Sequence, residues 1–163
     1  MRLLFDQTIN ITAADNKTNI DLPLEITEDN FALFIQTAYT PKVIEDRDLA
    51  RREIEAGIVR YIPENDRAEF GRWEDYLPLV NFITLSVDCG DEYIGCAHRH
   101  SPVQDHIISP AYSSPGFIRH AVRAGRWNFV LNCHAVVNGT VQYRLRIWGA
   151  DENEELHDHI QAF

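Results

Sequence analysis

The sequence has few cysteines, no long apolar run and no repeated segment, and each absence narrows what the chain can be. Its three cysteines (Cys89, Cys96 and Cys133) are odd in number and form no CxxC pair, so they do not indicate a disulfide framework. A Cys89–Cys96 disulfide is the one alternative that their spacing leaves open. No apolar run approaches the roughly 20 residues that cross a bilayer, and the N-terminus lacks the apolar core of a signal peptide. We therefore expect a cytoplasmic protein with reduced thiols.

Clusters of basic residues are also absent. The 25 Asp and Glu residues outnumber the 15 Lys and Arg residues, which gives a net charge of -10. DNA and anionic membranes attract basic surfaces, so we expect neither as a partner. The phosphate-binding, dinucleotide-binding, kinase and GxSxG signatures are missing as well. A protein partner or a homo-oligomer stays open.

What the sequence does contain is a β pattern. The length of 163 residues and the hydrophobic share of 45% fit one globular domain. Alternating apolar residues from Asn81 to Trp148 predict a mainly β fold, an antiparallel, jelly-roll-like β-sandwich over residues 1–150. An earlier run over 20–26 would place Pro23 on an edge strand, because proline cannot donate to a ladder. Residues 151–163 read as an acidic C-terminal tail.

One helix interrupts this pattern. Apolar residues recur at Ala50, Ile54 and Ile58, which predicts a helix over about residues 46–61. We expect this stripe, with Tyr61, to face the core, the alternative being a subunit contact. The following connection, residues 64–79, carries aromatic residues that we interpret as anchors.

The last two predicted strands can be aligned. A three-residue loop over 137–139 would form a hairpin that pairs Leu131 with Leu145, with both apolar faces on one side. Asn132, His134 and Arg144 would then point outward together. We therefore predict a partner-binding face at these three residues.

A histidine cluster provides the first candidate site. His98 and His100 lie on one face of a predicted strand, because side chains alternate along a strand. His106 follows closely, and neutral imidazoles are common zinc ligands. His98, His100 and His106 therefore predict a site for a divalent, zinc-like metal, against the simpler interpretation of solvated histidines at a strand end.

Other candidate chemistry carries less specific signals. Serines near these histidines could act as nucleophiles, although adjacency in sequence does not imply a hydrogen bond. Acids at a turn could chelate calcium, but such acids are usually solvated. The serines are Ser101, Ser109, Ser113 and Ser114, and the acids are Asp88, Asp91 and Glu92.

Several short motifs resemble a domain that is found N-terminal to metal-dependent phosphoesterases of the PHP (polymerase and histidinol phosphatase) superfamily. The similarity covers most of residues 30–148. Its motifs are Tyr39-Thr40-Pro41, Ile58-Val59-Arg60-Tyr61, Asn81-Phe82-Ile83-Thr84-Leu85-Ser86, Gly95 to His100, Ser114-Pro115-Gly116-Phe117, Gly125-Arg126-Trp127 and Val141-Gln142-Tyr143-Arg144-Leu145. The resemblance implies a β-sandwich accessory module. Its catalytic domain has no counterpart in the 163 residues, so no catalytic residue is carried over.

Three functions follow as hypotheses. The first is a non-catalytic accessory or binding module that acts with a PHP-type phosphoesterase or self-associates. The second is a small metal-binding protein or metal-dependent hydrolase that uses His98, His100 and His106. The third is a lectin-like module in which an exposed aromatic side chain stacks on a sugar, the candidates being Trp73, Tyr112 and Trp148.

Overall fold

The computed structural model describes residues 1–137 and 139–151, and most of them lie in strands. The strands are β1 (Arg2–Thr12), β2 (Asn19–Ile26), β3 (Ala32–Thr40), β4 (Phe82–Cys89), β5 (Glu92–Ala97), β6 (Val103–Ile108), β7 (Gly125–Ala135) and β8 (Thr140–Ala150). Helix α1 spans Arg47–Tyr61. Short 3-10 turns cover Ala13–Asp15, Glu64–Phe70 and Trp73–Tyr76.

Two four-stranded antiparallel sheets pack together. One has the order β1-β8-β3-β6 and the other the order β2-β7-β4-β5. The chain pairs with itself in a nested way, β1 with β8, β2 with β7, β3 with β6 and β4 with β5. This is the strand order of a jelly roll, and it confirms the predicted β-sandwich.

Alternating side chains explain the core between the sheets. In β4, Ile83, Leu85 and Val87 are at most 2% exposed, and the inward residues of β7 and β8 are buried in the same way. Burial of each such side chain contributes on the order of 2 kcal/mol. Pro23 lies in β2, whose only pairing partner within its sheet is β7, as predicted for an edge position.

The predicted hairpin between the last two strands is wrong. β7 pairs with β2 and β4, whereas β8 pairs with β1 and β3, so the connection crosses from one sheet to the other. Leu131 and Leu145 both face the core, but they do so from opposite sheets. Alternation alone could not distinguish these arrangements, because both direct the same side chains inward. Asn138, in the connecting loop, lies outside the described residues.

Helix α1 begins after Asp46, whose Oδ1 accepts a hydrogen bond from the Leu49 amide at 2.9 Å. Ala50 and Ile54 are buried, but Tyr61 is 57% exposed. The prediction that the whole stripe faces the core is therefore wrong for the C-terminal half of the helix.

The aromatic residues of the 3-10 turns that follow α1 are also more exposed than we predicted. Phe70 and Tyr76 are 41% and 42% exposed, so they do not act as buried anchors. Strand β1 was not predicted at all. Among the described residues, no helix is long and apolar enough to span a membrane. Residues 152–163, which hold most of the predicted acidic tail, lie outside the described residues.

Candidate functional site

The predicted metal ligands do not come together. His98 and His100 follow β5, at the end of one sheet, whereas His106 lies in β6 of the other sheet and is 1% exposed. The chain crosses between the sheets in the short segment that separates them. Within the described parts of the chain, no group of three or more His, Cys, Asp or Glu side chains is placed to hold a metal ion. The prediction that His98, His100 and His106 form one site is therefore wrong.

A different histidine completes the cluster. His134, at the end of β7, lies 5.1 Å from His98 between ring centroids. Both surround Phe82, at 4.9 Å and 5.0 Å, and His100 stacks on the same phenyl ring at 4.5 Å with an interplanar angle of 4°. We call Phe82, His98, His100 and His134 the histidine corner. Its three imidazoles are exposed and its phenyl ring is half-buried.

The outer face of β4 and β7 supports this corner with buried polar groups. The Asn132 Oδ1 atom accepts hydrogen bonds from the hydroxyls of Thr84 (3.3 Å) and Ser86 (3.1 Å). The Thr84 hydroxyl also lies 2.9 Å from His134 Nε2. Thr84 has a single hydroxyl proton to give to Asn132 or to His134, so the His134 tautomer sets the direction of the second bond. These contacts fix the orientation of the His134 ring. Thr84 and Ser86 are buried even though they lie on the outer face of the sheet.

Burial lowers the pKa of His134, and the neighbouring His98 lowers it further by charge repulsion. The imidazole is therefore neutral at pH 7. A neutral imidazole has one nitrogen that donates a hydrogen bond and one that accepts.

The chain has two lysines, and each lies near a residue of the corner. Lys42 Nζ lies 5.4 Å from the centroid of the Phe82 ring. It donates to Tyr39 Oη at 2.9 Å and to the Asn81 carbonyl at 2.8 Å. A cavity of about 240 Å³ is lined by Lys17, Thr18, Asn19, Asn132, Cys133 and His134. Lys42 thus contacts a ring of the corner directly, whereas Lys17 lines a cavity together with His134.

The predicted partner face is only half formed. Asn132 and His134 share the outer face of the β2-β7-β4-β5 sheet, but Arg144 lies on the outer face of the other sheet. There it makes two hydrogen bonds to Asp6, at 2.9 Å and 2.8 Å. Including Arg144 in one face with the other two residues was wrong, because it depended on the β7–β8 hairpin.

The remaining candidates are engaged in local structure. The Ser114 hydroxyl accepts from the Ile107 amide at 3.0 Å, and the Ser109 hydroxyl donates to the Tyr112 carbonyl at 2.6 Å. All three cysteines are free, so the alternative Cys89–Cys96 disulfide is not formed. Burial raises the pKa of Cys133 to about 11, which makes its thiol unreactive, as predicted.

The outer face of the other sheet holds a second recess. Trp148, Phe34 and Ile107 form one cross-strand row, and Arg146, Gln36 and Asp105 form the next. Gln36 donates to Asp105 at 2.8 Å and accepts a hydrogen bond from Arg146. These rows border a cavity of about 300 Å³. Of the three predicted sugar-stacking aromatics, Trp148 is the one that lies beside this recess.

Comparison with protein-family models gives no match, and comparison with the curated proteins gives none either. The resemblance to a PHP-associated domain therefore stays a prediction.

Proposed function

We propose that this chain is a non-catalytic ligand-binding module and that the histidine corner is its binding surface. The observation that carries the proposal is the convergence of three exposed imidazoles on Phe82, above a buried network of polar side chains. This network lies on the face of the sheet that is turned away from the core between the sheets. Exposed aromatic rings with fixed donors and acceptors are what recognition of a polar ligand needs.

The groups beside the corner favour binding over nucleophilic catalysis. The Ser109 and Ser114 hydroxyls are occupied by backbone groups of their own loops. Thr84 is 1% exposed and bonded to its neighbours, so its hydroxyl cannot reach a substrate. The corner can therefore hold and orient a ligand, but it offers no activated hydroxyl.

The resemblance suggests a setting for this module. A β-sandwich accessory domain would act together with a PHP-type phosphoesterase, either within one assembly or as a separate partner, or it would self-associate. In this setting the corner would present or sense a ligand for the enzyme.

A thermal-shift screen tests the proposed function. Melting of the full chain is followed at pH 7 with neutral sugars, sugar phosphates, nucleotides and dicarboxylates. A ligand that binds only the folded state raises the melting temperature. We expect at least one class to stabilise the wild-type chain but not the H98A/H134A variant.

The matched control is R126A. Arg126 is exposed on the same outer face of β7, about 26 Å along the strand from His134 at 3.3 Å per residue. Its removal should leave the ligand response unchanged. Equal stabilisation of the H98A/H134A variant, or release of p-nitrophenol from its phosphate ester by the metal-loaded chain, would overturn the proposal.

The recess beside Trp148 supports a second candidate, a lectin-like function on the opposite sheet. A sugar could stack on the indole and bond to Gln36 and Asp105, although Arg146 already covers one side at 5.3 Å from the ring centroid. In the same screen, a neutral sugar whose effect is abolished by W148A but kept in H98A/H134A would assign binding to this recess.

A further inference from the structure

Positive charge is distributed unevenly over this acidic chain. In the described part of the chain, the ion pairs with carboxylates involve four of the arginines, which are Arg2, Arg51, Arg123 and Arg144. The two lysines instead bond to uncharged oxygens. Lys42 bonds to a phenol and a carbonyl, and Lys17 donates to the Tyr61 hydroxyl. Neither lysine therefore has a carboxylate partner among the described ion pairs.

The backbone at Lys17 adds a second, independent observation. Its φ is 61°, the only positive φ of a non-glycine residue in the described segments. A lysine gains nothing locally from this conformation, which glycine and asparagine adopt more readily. Its amide donates to the Cys133 carbonyl at 2.7 Å, so the turn is tied to the end of β7 beside His134. The fold therefore holds a lysine in an unfavourable conformation at the cavity that His134 lines.

The nearest acid in the sequence does not neutralise this side of the corner. Asp15 accepts hydrogen bonds from the Thr12 amide at 2.8 Å and from the Thr12 hydroxyl at 3.0 Å. Its carboxylate is thereby directed to the 3-10 turn that it caps.

We propose that the ligand of the histidine corner carries a phosphate-type oxyanion, bound by Lys17 and Lys42 with N–H groups of His98 and His100 as further donors. This inference rests on the proposed function, because it names the ligand class of the same surface. A phosphate offers several acceptor oxygens and about two charges, which suit two ammonium groups and several neutral donors. A cation would be repelled by both lysines, and a neutral sugar would leave their charges unused.

Inorganic phosphate is the probe for this inference. It is titrated into the full chain at pH 7 and constant ionic strength, with sodium chloride as the balancing salt, while the imidazole Cε1–H signals are followed by NMR. We expect the signals of His98, His100 and His134 to shift in a saturable way. The signals of His106 and His120, which lie outside the corner, should stay in place and serve as internal references.

Charge variants assign the binding to the lysines. K17M should weaken phosphate binding about fivefold or more, and K17R should restore most of it. Lys17 is exposed, so its replacement leaves the core intact. K42M should weaken binding similarly, with its melting curve measured because Lys42 also supports Tyr39 and Asn81. R126M removes one positive charge far from the corner and should change the affinity less than twofold.

The outcomes separate the two proposals. Shifts that chloride alone reproduces, or equal weakening by K17M and R126M, would overturn the oxyanion inference. If phosphate does not bind but a neutral ligand stabilises the wild-type chain and not H98A/H134A, the binding function stands and the oxyanion does not. If no ligand distinguishes these two chains, both proposals fail.

Discussion

His98 and His106 lie eight positions apart in the sequence and occupy opposite kinds of site. His98 is exposed at the end of one sheet, in ring contact with Phe82 and His134. His106 is buried in the other sheet, with Nε2 bonded to Gln104 Oε1 at 3.1 Å and no partner for Nδ1 among the described residues. The difference shows that histidines close together in the sequence are divided between an exposed surface and a core.

The largest expected effect on stability concerns His106, the buried histidine. Burial, with a smaller contribution from Arg99, lowers the pKa of His106 from 6.5 to about 4. Between pH 6.5 and pH 4 the unfolded chain binds a proton at His106 that the folded chain does not. The free energy of unfolding is therefore highest above pH 6.5 and falls as the pH drops below it. The loss should reach about 3 kcal/mol at pH 4.

Urea unfolding of the wild-type chain and of H106M at pH values from 7.5 to 4 measures this effect. The variant has no proton to bind at this position, so it should lose about 3 kcal/mol less over the same range. Parallel stability curves for the two chains would show that His106 is not the responsible group.

The second prediction concerns the exposed histidine corner that contains His98. F82A removes the half-buried ring on which the three imidazoles pack and should cost about 2 kcal/mol, below the range for a fully buried phenylalanine. The NMR signals of His98, His100 and His134 should move together, because they lose the same ring current. F82L keeps most of the volume, so it should recover stability but not the original signal positions. Unchanged histidine signals in F82A would contradict the arrangement.

The smallest expected effect tests the support beneath the corner. T84V replaces the buried hydroxyl with a methyl group and leaves His134 Nε2 and Asn132 Oδ1 each short of a bond, at a cost of about 1 kcal/mol. T84S keeps the hydroxyl and its hydrogen bonds, so it should lose less stability than T84V. Denaturant unfolding measures the stability of both variants. A T84V chain as stable as the wild type would show that the Thr84 hydroxyl does not hold His134 in place.

Alternation in the sequence predicted much of the fold. It identified the inward residues of β4, β7 and β8, and the four-residue recurrence of apolar residues gave helix bounds within one residue of Arg47–Tyr61. It could not give the sheet to which each strand belongs. Strand pairing in a jelly roll joins distant segments, as when Asp6 lies opposite Arg146, and local patterns carry no information about such pairs.

The candidate site was predicted only in part. His98, His100 and His134 were each identified, but in two separate proposals, and His106 and Arg144 were added to them wrongly. Phe82, which joins the three, was not identified as a site residue. A signal for it was present, since Phe82 precedes Thr84 and Ser86 on the outward side of β4, where an aromatic residue has no core to fill.

The nested pairing of the strands has a consequence for biosynthesis. Within the sheets β1 pairs only with β8, and β2 pairs only with β7. As the chain leaves the ribosome, β2 lacks its partner until about a hundred further residues have been made, and β1 lacks its partner for longer still. Sheets built from such distant contacts form slowly. Until then the long, unpaired β1 exposes its backbone to other chains, so a nascent chain of this fold should depend on chaperones that cover its N-terminal strands.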